Sequence, residues 1–221
     1  MNNEELFDFN EDNSHLVGFN DRERKGQLIC IEGLDGAGKG TQVKLITDYL
    51  ESIGKTYKNV HFPMYGENKF AEIISMFLKG DLGDNDDVDP LFVANIYAMD
   101  RYKYKSQLTK DLDYYDYVVL DRYVFSNMAF QGAKYSTDEK KLGIVKWIDD
   151  FEFRFLQLPY PDKTIFLDLP VDIIKDRLVG REGEDRDYLE GGQDIHEADL
   201  QFQSRVRKVY LGLEEMKNYN I

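Results

Sequence analysis

Cysteine is nearly absent from this sequence: of 221 residues, only Cys30 carries a thiol. One thiol excludes an intrachain disulfide. Its place inside the apolar run LICI predicts a buried, inert group in a reducing, cytoplasmic setting. Histidine is scarce too. His15, His61 and His196 stand far apart, and no metal-ligand spacing connects them. Positive charge is in short supply, with 28 Lys and Arg against 42 Asp and Glu and a net charge of −14. A field of that sign repels a phosphate backbone, so nucleic acid is not an expected partner. A small anionic substrate is still admissible, because local Lys and Arg can line one cleft. No apolar run approaches the ~18 residues that read as a membrane span, and the N-terminus has no signal-peptide profile, so no membrane association is expected.

The length fits one large domain, and 42% hydrophobic residues suffice to fill its core. Residues 1–25 are polar, acidic and aperiodic, and predict a flexible tail ahead of a domain over 26–221. From Gln27 onward strand and helix patterns alternate. QLICIEG, YKNVHFP, YVVLD and KTIFLDLP read as strands. Val43, Ile46, Leu50 and Ile53 fall at helical spacing and stop at Gly54. Phe70, Ile73, Ile74, Phe77 and Leu78 share one helix face. Asp89 followed by Pro90 predicts a helix start, running on through Leu108. Leu142, Val145, Ile148, Phe151 and Phe155 predict another long helix, VDIIKDRL a short one. The segment from Asp194 opens a last helix, with Glu197 in capping-box spacing. Such alternation predicts a parallel sheet flanked by helices.

Between the first strand and the first helix lies EGLDGAGKGTQ. Gly33-x-x-x-x-Gly38-Lys39 fits a phosphate-binding loop in the strand–loop–helix context that the motif requires. Glycines let backbone N–H groups converge on a polyphosphate with no Cβ in the way, and the helix N-terminus behind them adds positive potential. Gly33, Gly36, Ala37, Gly38, Lys39, Gly40 and Thr41 are therefore candidates for holding a nucleoside triphosphate. Lys39 can reach its β- and γ-phosphates. Gly40 stands where a hydroxyl usually meets magnesium, and Thr41 is the available alternative. The loop alone leaves a switch, a motor, a small-molecule kinase and a binder without catalysis all open.

A kinase of a small acceptor needs a second anion site and a lid. LDRYVFSNMAFQG follows the third strand, where open parallel sheets bind ligands. Asp121 suits a water-mediated contact with Mg²⁺, and Arg122 suits a bidentate grip on phosphate; an Asp–Arg pair capping a helix is the plainer reading. A glycine-rich charged stretch carries Arg181 and Arg186, with Arg177 just before it. Mobile arginines closing over a transferred phosphoryl group make chemical sense. They could equally pair with the acidic residues of their own loop.

Taken together, EGLDGAGKGTQ, FPMYGE, YAMDRY, DRYVFSNMAFQGAK, LPYPDKTIFLDLP and DIHE resemble the thymidylate kinase family, in family order from about residue 27 to the C-terminus. The resemblance implies a three-layer α/β/α fold of the P-loop kinase type with a mobile arginine lid. It implies transfer of the γ-phosphoryl group of ATP to dTMP with Mg²⁺, and a homodimer. Carried over residue by residue, Asp35 would meet the sugar 3′-hydroxyl, Tyr97 would stack on thymine and Arg101 would bond the base edge. Arg122 would hold the acceptor phosphate, Asn127 would read the base with Ser126 beside it, and Phe130 would pack on the deoxyribose. Gly36 is arginine in some members; those with glycine there place the catalytic arginine in the lid, which points to Arg181 or Arg186. Tyr65 stands where many members grip the acceptor phosphate with arginine, which leaves more of that task to Arg122. The chain ends about where the family continues into a fifth strand and a last helix that help hold adenine. Another deoxynucleoside monophosphate as acceptor (dUMP, dGMP or a modified pyrimidine), and nucleotide binding without catalysis, remain alternatives.

Overall fold

The computed structural model describes residues 24–179, 196 and 199–215. Strand β1 (Gln27–Gly33) leads into helix α1 (Lys39–Ser52), then β2 (Tyr57–His61), α2 (Lys69–Leu78), α3 (Pro90–Tyr114) and β3 (Tyr117–Asp121). Helices α4 (Val124–Gly132) and α5 (Asp138–Asp149) follow. A π-helical turn (Asp150–Phe155) continues α5, and β4 (Lys163–Leu167), α6 (Val171–Val179) and α7 (Leu200–Glu215) complete the described part. The four strands form one sheet in the order β2-β3-β1-β4, all parallel. Ile29 of β1 lies beside Val119 of β3 and Lys163 of β4. The expected α/β architecture is thus present, and β1, the strand that feeds the glycine loop, is central.

The two inner strands, β1 and β3, are apolar on both faces because helices cover both. Leu28, Cys30, Val118 and Leu120 pack with Phe125, Met128, Phe202 and Tyr210 on one side. Ile31 and Val119 pack with Val43 and Leu50 of α1 on the other. Cys30 is a free, fully buried thiol, and burial pushes its pKa well up, in keeping with an inert group. Strand β2 stops at His61, before Phe62 and Pro63, since proline has no N–H to give a ladder.

Helix starts follow local chemistry. Asn68 accepts from the Phe70 and Ala71 amides to cap α2, and Asp89 accepts from those of Leu91 and Phe92 to cap α3, with Pro90 next. Helix α3 runs six residues past the Leu108 limit suggested by its pattern, to Tyr114. The Asp194–Glu197 pair expected to open the last helix lies outside the described residues; α7 begins at Leu200, with the Asp199 carboxylate accepting from the Phe202 amide at 2.9 Å. The expected tail is also outside, apart from Arg24, which pairs with Asp162 at 2.7 Å, and Lys25. The long helix expected through Phe155 is only partly regular. After Asp149 it widens into the π turn, which buries Glu152 and Phe153 and leaves Phe155 74% exposed.

Candidate active site

At the C-terminal end of β1 the chain turns through Leu34–Gly38 into α1. Gly36 (φ 76) and Gly38 (φ 94) adopt left-handed backbone that favours glycine. A Cβ at Gly33 would stand 3.3 Å from both the Ala37 and the Leu167 Cβ. At Gly40, by contrast, a Cβ would meet nothing within 4 Å, so no steric demand explains that glycine. Lys39 curls back over its own loop: Nζ donates to the carbonyls of Gly33 (3.2 Å) and Leu34 (2.8 Å). Burial, and then the nearby Arg122 charge, lower its pKa to about 8, against the pull of Asp35, Asp121 and Glu32. On the outer side of the loop, Arg177 Nη1 donates to the carbonyls of Gly36 and Ala37, each at 3.4 Å.

Across from the loop, the turn between β3 and α4 presents Asp121 and Arg122. Arg122 has a left-handed backbone (φ 69), an unusual conformation for a side chain of its size, of the kind held where function constrains it. Its Nη1 donates to the Gly33 carbonyl (3.0 Å) and to Ser126 Oγ (3.1 Å), and its Nη2 donates to Asp35. Burial works against both charges of that pair. Each nonetheless stabilises the other, so the guanidinium is held well above its ordinary range and the carboxyl well below. Asp121 Oδ2 lies 3.5 Å from His61 Nδ1, while Oδ1 is buried with no hydrogen-bond partner among the described residues. Burial tends to raise the Asp121 pKa; the bond from His61 and the Lys39 charge outweigh it and lower it.

Glu32, which the sequence pattern did not single out, ties the two halves together from beneath. Fully buried at the end of β1, it accepts from the Tyr123 amide (2.9 Å), Ser126 Oγ (2.5 Å) and the Tyr210 hydroxyl (3.0 Å) of α7. Burial raises its pKa despite those donors. Its one visible signal is a carboxylate at the end of an otherwise apolar strand.

A cavity of about 320 Å³ opens between these parts, within the size range of small-molecule sites. Its phosphate-loop wall is Asp35, Gly36, Gly38, Lys39, Gly40 and Thr41; the facing wall holds Asp121, Arg122 and Ser126. Tyr65, Tyr97, Asn127, Phe130, Gln131, His61 and His196 are also on the lining. The Arg122 guanidinium lies 5.2 Å above the Phe130 ring, a cation–π distance. His196 is packed against Phe77, Phe130 and Phe202, and its Nε2 lies 3.1 Å from Asn85 Oδ1. Burial and the Lys134 charge lower its pKa to about 3, so it is a neutral wall of the cavity near pH 7.

Most of the sequence candidates thus meet around one cavity. Four described ones are not on its lining: Gly33 and Ala37, which belong to the loop itself, Arg177 and Arg101. Arg177 is on the outer face of the loop, and Arg101 is 2% exposed beneath the wall with Nε and Nη2 both donating to Glu152 at 2.6 Å. The open guanidinium expected at the base edge is therefore committed to a buried carboxylate. Arg181 and Arg186 lie outside the described residues.

A glycine-lined loop leading from an inner strand of a parallel sheet into a helix, with an arginine facing it across a cavity of small-molecule size, is the arrangement of a P-loop protein of the mononucleotide-kinase class. The family model described as thymidylate kinase matches residues 31–221, and the chain belongs to that family. It is 33% identical over 187 residues to a thymidylate kinase of Mycobacterium tuberculosis (strain ATCC 25618 / H37Rv), which covers 84% of this chain and 85% of the relative. It is 32% identical over 195 residues to a probable thymidylate kinase of Saccharolobus solfataricus, covering 88% and 87%. Among solved structures it resembles thymidylate kinase from Candida albicans with a TM-score of 0.65 and 25% identity, over 86% of this chain and 79% of that one.

Proposed function

We propose that the protein transfers the γ-phosphoryl group of ATP to the phosphate of dTMP, giving dTDP and ADP. The observation that carries this reading is the pairing across one cavity of the Lys39 loop with Arg122, with Tyr97 and Asn127 on the same lining. ATP phosphates on the loop and an acceptor phosphate on Arg122 would stand face to face. An acceptor phosphate oxygen forms the new bond to Pγ while the bond from Pγ to the β,γ-bridging oxygen breaks, and ADP leaves with that electron pair. The acceptor phosphate is already largely ionised near pH 7, so no general base is needed. Catalysis is then positioning and charge neutralisation. Lys39 must leave its loop carbonyls, and Arg122 must share its guanidinium between Asp35 and the acceptor.

Magnesium fits this site. The unpartnered, buried Asp121 Oδ1 and the Thr41 hydroxyl share the cavity with the loop, and Mg²⁺ is commonly held by one or two carboxylates, substrate phosphates and water. The ion would neutralise charge on the polyphosphate. Arg181 or Arg186 would supply lid charge, Asp35 would meet the sugar hydroxyl, and Tyr97 and Phe130 would pack on base and deoxyribose. We further place the reaction in the cytoplasm, a reducing compartment that suits the single thiol, and assign a homodimer. No described helix is long and apolar enough to cross a membrane.

ADP release measured across a panel of nucleoside monophosphates tests the reading. dTMP should give the highest kcat/KM, and Lys39→Ala should abolish turnover with the fold intact. Preference for another monophosphate would reassign the acceptor, and no turnover with any of them would leave a nucleotide binder.

A further inference from the structure

An asparagine side chain can offer a ligand either of two edges, a donor or an acceptor, by turning over. At Asn127 that freedom is gone. The residue is 3% exposed and stands on the cavity wall. Its Nδ2 donates to the Ala94 carbonyl at 3.0 Å and to Glu152 Oε1 at 2.8 Å. Its Oδ1 has no partner among the described residues. Both groups that receive the amide hydrogens are acceptors only. Turning the amide over would replace two hydrogen bonds by two contacts between lone pairs in a buried place.

Glu152 makes one of those two contacts, and it is itself fixed. It is fully buried on the π turn, where the widened backbone turns Glu152 and Phe153 inward while Trp147, Phe151 and Phe155 stack along the outside. π turns of this kind recur at functional sites. Arg101 grips Glu152 in a bidentate fork, Nε on Oε2 and Nη2 on Oε1. That pairing offsets the burial of both charges, and the carboxylate can show Asn127 nothing but an acceptor.

We infer that Glu152 is a positioning residue for base selection. Acting through Asn127, and held by Arg101, it turns an acceptor toward the base and so selects pyrimidines that carry an N3–H donor, thymine and uracil, over cytosine, whose N3 is an acceptor. The inference rests on the proposed use of the cavity for a pyrimidine monophosphate. It gives Arg101 a task although its guanidinium is off the cavity wall.

The test compares kcat/KM for dTMP, dUMP and dCMP, by ADP release, in the unaltered protein, in Glu152→Gln and in the paired Arg101→Met, Glu152→Met variant. The pair is replaced together so that no buried charge is left alone. In either variant the dCMP-to-dTMP ratio should rise about 10-fold, because only the Ala94 carbonyl then opposes turning the amide over. The dUMP-to-dTMP ratio should hold, and the loss for dTMP should fall mainly on KM. A merely structural role would lower all three substrates alike, and an unchanged dCMP-to-dTMP ratio in a folded variant overturns the inference. The unaltered protein supplies a second arm that needs no variant. dTMP methylated at N3 has no donor to offer and should be used on the order of 100-fold less efficiently than dTMP; comparable use also overturns the inference. If the unaltered protein does not phosphorylate dTMP at all, the proposed acceptor fails first and the inference falls with it, an outcome visible in the same assay.

Discussion

Arg122 and Asp35 form an ion pair at the meeting of the phosphate loop and the facing wall, with side chains 13% and 21% exposed. It joins two segments 87 residues apart in the chain. The pair holds the guanidinium beside the place where an acceptor phosphate would bind, already shielded from most water, and its geometry has consequences for stability that do not depend on the reaction.

Asp35→Asn should leave Arg122 sheltered and only partly compensated, and lower stability by about 1–3 kcal/mol at pH 7. The folded pKa of Asp35 lies below its ordinary 3.8, so its contribution is full above that value and is lost as pH falls toward the folded one. Urea denaturation should therefore show a constant gap between wild type and variant from pH 5 to 8 that narrows below pH 4. A gap that widens in acid would mean the pair is not the stabilising element.

Lys39 offers a pH effect of the same sign in a more alkaline window. Its folded pKa of about 8 is below the ordinary 10.5, so burial of the charged amine costs stability below pH 8, and that cost fades as pH rises toward 10.5. The ligand-free lysine also begins to lose its proton near pH 8. ATP affinity, measured by calorimetry, should accordingly weaken from pH 7 to 9. In Lys39→Met it should be weaker throughout and lack this part of the pH dependence. An unaltered protein whose ATP affinity is flat across that range would contradict a buried, easily neutralised lysine.

The sheet could be read from the sequence because its strands are short apolar runs bounded by glycine, proline or aspartate, and the loop could be read because glycine and lysine at fixed spacing have few other uses. Helix α4 gave no periodic signal: every residue from Val124 to Gly132 is buried, so no polar face alternates with an apolar one. The π turn was hidden because Phe151 and Phe155 are four apart, as in an ordinary helix. In the site, Lys39, Asp121 and Arg122 were legible as motif members. Glu32 and Glu152 were not, since the meaning of a buried carboxylate lies in its partners: Glu32 meets Tyr210 178 positions away, and Glu152 meets Arg101 51 positions away. No local pattern carries that information.

Gly40 is the loop glycine that geometry does not require. Gly40→Ser would add a side chain into open space within the first turn of α1. Serine is favoured over glycine in helices by a few tenths of a kcal/mol, so the melting temperature should hold or rise by about 1–2 °C. The new hydroxyl should also lower the Mg²⁺ concentration needed for half-maximal turnover. A fall in melting temperature would show that the position is crowded after all, and an unchanged Mg²⁺ requirement would leave Thr41 and water as the hydroxyl ligands.

Tyr210 of α7 is not itself on the cavity lining, yet it should affect the site through Glu32. Its hydroxyl donates to that carboxylate and lies 2.9 Å from Ser126 Oγ, and its ring stacks on Phe166 at 4.6 Å. Tyr210→Phe keeps the stack and removes one donor from a buried carboxyl group, at a cost of about 1–2 kcal/mol. The sign of the pH dependence follows from burial. Glu32 has a folded pKa raised above its ordinary 4.5, so a stability contribution that is full below 4.5 is lost as pH rises through the folded value. Losing a donor to the ionised form raises that pKa further, so the variant loses more stability over the same rise. The gap between wild type and Tyr210→Phe in urea denaturation should be small near pH 4, widen as pH rises, and level off once Glu32 is ionised in both. A gap independent of pH would show that the hydroxyl serves Ser126 and the packing of α7 rather than the charge on Glu32.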